Sequence, residues 1–398
     1  MRQLVVIALA FFFLGACSAQ AVQPSGDSLV SAQNSFAFDL FRELAAENSR
    51  DNLMLAPAGL SSGLSVMYLG ARGETESQMG RILNLGQPQE VAQFWDRSRT
   101  QLTQRWSDDG KQLRLSNRLW VQEGFPIERS FLTVIRRRFD VGVQHADFSQ
   151  QPDHARKMMN AWVAESTEGE IRELFGSGEV EPQTRTVLAS VFVLRTDWAR
   201  PFDPQETVPI PFTTAAGEKT SVPAMTQTEV FRAGETDEAR ILELPYARDV
   251  GSMVIVLPRR GNQLQDLEQM LDVASLRRWR SVLSERETLM YLPLLDLSTR
   301  HELRQPLEAL GLSLPFGSEA DFSGITGAKD LMISKIVHQV SIQVDEKGTR
   351  AKAATGITTK LRTLPDTFLI DRPFLFFVLD GQTGMLLLMG HVADPSAR

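Results

Sequence analysis

The side chains able to do covalent or acid–base chemistry are few and scattered. The five histidines are His145, His154, His301, His338 and His391. None belongs to an HExxH pair that would hold zinc on one helix face, and no G-x-S-x-G turn presents a serine nucleophile. A hydrolase would have to assemble a triad dispersed among these histidines. Cys17 is the single cysteine, which excludes an internal disulfide and a cysteine-based metal site. No metal and no cofactor is expected. The stretch whose composition stands apart is Asp345–Pro365, DEKGTRAKAATGITTKLRTLP. It is small, polar or basic and has little to bury, and a connection of that length is either functional or disordered. Its internal order is informative. Thr349, Ala351, Ala353, Thr355, Ile357 and Thr359 share one parity, whereas Arg350, Lys352, Gly356 and Lys360 fall on the other. Alternate residues of a strand face opposite sides. This loop is therefore able to enter a sheet with one slim, uncharged face and its charges toward water.

The elements that must position it lie on either side. Ile336, His338, Val340, Ile342 and Val344 alternate with polar or smaller residues, the period of a half-buried strand. Downstream, Phe374–Leu379 and Met385–Val392 flank the turn Asp380–Gly384 and predict a buried hairpin. Glu346-Lys347-Gly348 sits where a turn is needed, and Gly348 is able to take a positive φ. Phe36, Ala37, Leu40, Phe41 and Leu44 recur at helical spacing. SMVIVLP is continuously apolar, as in a strand covered on both faces. Helical patterns dominate the first third and strands the last half, which predicts an α+β fold. No repeat, low-complexity tract or interdomain linker divides the chain. The net charge is −7, without the basic stripe that nucleic acid requires. The run Arg136-Arg137-Arg138 reads as a solvated helix face.

Met1–Ala16 carries one basic residue and the apolar run LVVIALAFFFLGA, too short for a stable membrane helix and suited to a secretory signal. Leu14-Gly15-Ala16-Cys17 resembles a bacterial lipobox. The expectation is cleavage after residue 16 and a lipidated Cys17, held on the membrane by several acyl chains. Residues 17–28 then form the lipidated N-terminus and tether, and 29–398 form one domain. Ser18 after the cysteine points to the outer membrane, facing either the periplasm or the exterior.

EKGTRAKAAT, from Glu346 to Thr355, resembles the hinge of the serpins, the serine protease inhibitor family, which commonly reads E-x-G-T-E-A-A-A-A-T. Other segments resemble that family in order. They are Asn52–Met79 (NLMLAPAGLSSGLSVMYLGARGETESQM), Leu115–Ile127 (LSNRLWVQEGFPI), Met159–Ile171 (MNAWVAESTEGEI) and Val187–Phe202 (VLASVFVLRTDWARPF), followed by VPAMTQ, ELPY, SMVIVLP and ADFSGIT. The resemblance spans residues 29 to 395.

The resemblance implies three β-sheets, about nine helices and an exposed reactive-centre loop over residues 346–367. Counting along the pattern from Glu346, and back from Arg372-Pro373-Phe374, places the scissile bond at Arg362-Thr363. Arg362 would occupy the acidic pocket of a trypsin-like protease, with Lys360 as a second bait; an Arg-specific cysteine protease is the other partner considered. The protease would form an ester on Arg362, and the hinge Glu346, Lys347, Gly348, Thr349, Arg350, Ala351, Lys352, Ala353, Ala354, Thr355 would lead the loop into the main sheet. The protein would then be an inhibitor, not an enzyme, and a monomer. The family's sheet-opening cluster of two serines, an asparagine and a histidine falls here on Ala56, Gly59, Ser190 and His338, so only the histidine is kept, with Ser190 as its candidate partner. Trp198 matches a packing tryptophan near the hinge. Arg350 and Lys352 depart from the usual Glu and Ala, which keeps open a non-inhibitory serpin acting as a binding or chaperone-like module.

Overall fold

The computed structural model describes residues 26–107, 112–348 and 366–397. Cys17, the expected lipidation site, the expected hinge from Thr349 onward and the expected bait residues Lys360, Arg362 and Thr363 lie outside the described residues.

The first half of the chain is mostly helical: α1 (Gly26–Glu47), β1 (Leu53–Leu55), α2 (Pro57–Gly70), α3 (Gly73–Ile82), α4 (Pro88–Trp106), β2 (Gln112–Gln122), α5 (Arg129–Phe139), β3 (Gly142–Ala146), α6 (Pro152–Ser166) and β4 (Thr186–Arg195). Strands then take over: β5 (Val208–Thr213), β6 (Lys219–Glu235), β7 (Ala239–Pro245), β8 (Gly251–Pro258), the short helices α7 (Leu264–Gln269) and α8 (Val273–Ser281), β9 (Ser284–Pro293) and β10 (Leu295–Glu302). The helices α9 (Arg304–Ala309) and α10 (Ser323–Thr326) precede β11 (Lys335–Val344), β12 (Asp366–Leu369), β13 (Phe374–Asp380) and β14 (Leu386–Val392). The α+β expectation holds. The apolar positions predicted for α1 are all buried. That helix begins at Gly26, three residues inside the segment expected as tether, because Leu29 and Val30 already pack into the core.

The strands form two hydrogen-bonded networks. Five strands run in the order β10-β11-β4-β2-β3, and nine follow β1-β14-β13-β8-β7-β6-β9-β12 with β5 on β6. The three sheets implied by the resemblance appear as two because the 17-residue β6 serves two layers. Lys219–Ala224 pair with β5, Ala224–Ala233 with β9 and Arg232–Glu235 with β7. The strand SMVIVLP is β8, buried at every position, and the predicted hairpin is β13–β14.

Both faces of the five-strand sheet are covered, and strand parity divides them. Leu188, Phe192 and Leu194 of β4 join Leu119 and Val121 of β2 in the large core. Val187, Ala189 and Val191 join Trp120, Met159 and Phe175 in a second core that includes the inner face of α6. Alternation within one strand thus assigns neighbouring residues to different cores. The basic run closes α5, where positive charge suits the helix C-terminus; Arg136 and Arg137 are exposed and Arg138 pairs with Asp96 at 2.8 Å.

Candidate hinge and sheet-opening site

The middle of the five-strand sheet is a parallel pair. β11 lies beside β4 in register from Lys335 opposite Val187 to Ser341 opposite Val193. Beyond Ser341 that ladder stops, while the antiparallel ladder from β11 to β10 continues to Val344 opposite Leu295. The seam between β11 and β4 is therefore closed along its length and unladdered at its upper end.

Above this end sits the predicted turn. Asp345 N–H donates to Gly348 O at 3.0 Å and Gly348 N–H to Asp345 O at 3.1 Å, so the chain reverses within four residues. Gly348 has φ +129°, as the turn required. A Cβ there would lie 2.5 Å from the Cα of Asp197, the carbonyl of Thr196 and the amide of Trp198, so glycine is also needed for close approach. At Gly348 the chain is antiparallel to both neighbours, bridging Asp345 on one side and Asp197 on the other.

The segment after β4 clamps this turn. Trp198 N–H donates to Lys347 O at 3.3 Å, Phe202 N–H to Glu346 O at 2.7 Å and the Trp198 indole N–H to Asp345 O at 3.1 Å. Thr207 Oγ1 donates to the Glu346 carboxylate at 2.6 Å. Burial, reinforced by Glu346, holds the Asp345 carboxyl above its usual range, although the Lys347 N–H bond opposes this. Trp198 is buried and stacks on Tyr246, with ring centroids 4.8 Å apart and planes 6° apart; Tyr246 in turn meets the edge of Trp106 at 5.7 Å. Trp198 thus packs into the core through this stack, and its indole N–H adds a hydrogen bond to the turn.

Lower on the seam, His338 faces Ser190 across the parallel pair. His338 Nε2 accepts the backbone N–H of Ala56 at 3.0 Å, which places the ring proton on Nδ1, where it is donated to Ser190 Oγ at 3.1 Å. The ring is fully buried. Desolvation first, then the neighbouring His301, push its pKa down to about 3. His301, opposite it on β10, is pushed down to about 4, chiefly by burial. This ring ties α2, β4 and β11 together while neutral.

Ala56 and Gly59 lack the hydroxyls of the family pattern, and their backbone groups serve instead. Ala56 provides its N–H to His338, and Gly59 O accepts Asn117 Nδ2 at 2.9 Å. Asn117 was not among the residues singled out from the sequence. It lies opposite Ser190 on β2, on the parity shared by Leu113, Leu119 and Val121, and a polar residue in that apolar row was the available signal.

Among the described residues no group of His, Cys, Asp and Glu is arranged to hold a metal ion. No helix among them is long and apolar enough to cross a membrane.

Residues 31–395 match the protein family described as Serpin (serine protease inhibitor). The chain is 34% identical to the leukocyte elastase inhibitor of Bos taurus over 384 residues, covering 93% of this chain and all of that one. It is 32% identical to serpin B11 of Homo sapiens, covering 92% of this chain and all of that one. The crystal structure of mouse protein-Z dependent protease inhibitor superposes with a TM-score of 0.84 at 26% identity, covering 93% of this chain and 98% of that one.

Proposed function

The chain belongs to the serpin family of serine protease inhibitors, and from that premise we propose that it traps Arg-specific, trypsin-like proteases as covalent acyl-enzymes by inserting its cleaved loop between β11 and β4. The observation that carries this reading is the geometry at Gly348, where the chain already runs antiparallel to Asp345 and Asp197, the residues just past the ends of β11 and β4. A strand continuing from there replaces one parallel contact with two antiparallel ones, and antiparallel pairing is slightly the more stable per residue.

The balance is close. Each new hydrogen bond contributes about 1 kcal/mol net, and fixing each residue's backbone costs roughly 1–2 kcal/mol. Side-chain terms therefore decide the outcome. The alternate small residues from Thr349 to Thr355 add little rotamer entropy, and Arg350 and Lys352 share the outward parity. The target serine would attack the carbonyl of Arg362, forming an ester and releasing Thr363 as an amine. Displacement of the protease would then disorder its oxyanion hole before water could complete the reaction. This chain supplies bait and stored strain. The lipobox at Cys17 supports display from a bacterial outer membrane.

Mixing the protein with trypsin and resolving the products on a denaturing gel tests the proposal. A band at the summed mass that survives boiling is expected. A cleaved product alone would favour the non-inhibitory reading, to which Arg350 and Lys352 lend support.

A further inference from the structure

The chain re-enters the described fold at Asp366, and beside β12 lies a cleft of about 370 Å³ lined by Arg240, Arg259, Arg260, Arg372, Asp371 and Thr367. The protein is acidic overall, so four guanidiniums at one cleft run against its composition. Three elements bring them together. Arg240 stands on β7, Arg259 and Arg260 form the turn after β8, and Arg372 follows β12.

Their partners do not neutralise them. Asp371 meets both Arg260, at 2.9 Å, and Arg372. Asp366 pairs with Arg240 at 2.9 Å, and Glu235 pairs with Arg259 at 3.3 Å. Among the described residues, three carboxylates thus face four guanidiniums. Arg372 is anchored by Nε and Nη2 on the carbonyl of Pro258, at 3.0 and 2.6 Å, and Arg240 by Nη1 on the carbonyl of Thr367 at 2.8 Å. These anchors fix two of the cations in place. Arg260 is held by Asp371 through Nη2 and is 80% exposed, so its fork can turn toward a ligand. Burial lowers the Arg372 pKa; the hydrogen bond and charge of Asp371 oppose this, and the charges of Arg260 and Arg240 add smaller contributions in the same sense as burial.

We propose that this cleft binds a tetrahedral oxyanion, phosphate or sulfate, either free or carried on a polymer. Guanidinium forks match the oxygen geometry of both ions. The bound anion would bridge β7, the turn after β8 and the residues following β12. It would brace a strand of four residues that sits at a sheet edge and pairs only with β9 among the described strands. Arg240 already clasps that strand, lying 5.0 Å over the ring of Phe368. This inference is independent of the inhibitory reading.

The test uses the full chain and two variants, R259Q with R260Q combined, and R136Q with R137Q as a control in the other basic run. Thermal unfolding is followed in inorganic phosphate, and separately in sulfate, against chloride at matched ionic strength. A saturable rise of a few degrees is expected for the wild type and the control, with half-saturation at least tenfold weaker in R259Q/R260Q. A sulfated polysaccharide forms the second arm. Binding that weakens in R259Q/R260Q, with a salt slope reduced by about two for two lost contacts, would identify the polymer-borne anion. Response to the small ions alone would identify the free one. The proposal is overturned if neither oxyanion exceeds chloride and the polysaccharide fails to bind or binds R259Q/R260Q as well as wild type, or if the thermal rise never saturates and is equal in all three proteins.

Discussion

Acid should loosen the seam between β11 and β4 through His338. The ring is neutral in the folded protein down to about pH 3 because it is buried and faces His301, whereas an unfolded histidine titrates near 6.5. Between these values the unfolded state binds one more proton than the folded state. The stabilising contribution is therefore complete above pH 6.5, is lost progressively as the pH falls, and levels off below about 3. The loss amounts to about 1.4 kcal/mol per pH unit, so roughly 2 kcal/mol has gone by pH 5. His301 adds a parallel loss between 6.5 and about 4. Replacing His338 by Gln keeps a donor for Ser190 Oγ and an acceptor for the Ala56 N–H but removes the proton site. Urea unfolding followed by tryptophan fluorescence at intervals from pH 7.5 to 5 isolates the effect. The wild type should lose about 2 kcal/mol more than H338Q over that range. Parallel pH profiles for the two proteins would refute the assignment of a neutral, proton-excluding histidine at this position.

Other perturbations address the hinge and the bait. Gly348→Ala forces a Cβ against the backbone of Thr196–Trp198 and strains the positive φ. It should cost about 2–4 kcal/mol from strain and lost clamp bonds, seen as a lower urea midpoint together with a changed Trp198 emission. Ala351→Arg or Thr349→Arg places a charge on the face that must be buried, at a cost of several kcal/mol. Either should convert the inhibitor into a substrate, and trapping with wild-type stoichiometry would show the inward parity to be wrong. Arg362→Gln removes the charge-assisted contact with an acidic specificity pocket and should slow trapping of trypsin by at least roughly 10³-fold. An equal loss in Lys360→Gln, with Arg362→Gln unaffected, would move the scissile bond to the earlier register.

Much of the scaffold was legible because burial follows period. The alternation Ile336, His338, Val340, Ile342, Val344 is the inward row of β11, and the 3.6-residue spacing in α1 is its core face. The turn at Glu346–Gly348 was legible because only a few residue types reverse a chain so tightly, and glycine is one of them. The sheet-opening cluster was half legible. His338 and Ser190 could be paired from side-chain chemistry, but at Ala56 and Gly59 the partners are backbone N–H and C=O groups, which every non-proline residue carries. A side-chain alphabet gives no sign of when such a group is used. Asn117 was missed for a related reason, since its partner, the carbonyl of Gly59, is 58 residues distant in the chain. The arginine cleft beside β12 was invisible in sequence because Arg372 lies more than a hundred residues beyond Arg240, Arg259 and Arg260, and joins them only when β7, β8 and β12 meet.

The spacing of β4 and β11 after cleavage of the loop tests the insertion mechanism most directly. In the intact protein His338 and Ser190 are neighbours across one strand interval, about 5 Å. A crystal structure of the protein cut at Arg362 should place β11 and β4 roughly 10 Å apart, with residues from Thr349 onward filling the interval as an antiparallel strand. An unchanged pairing of His338 with Ser190 in the cleaved protein would contradict the account.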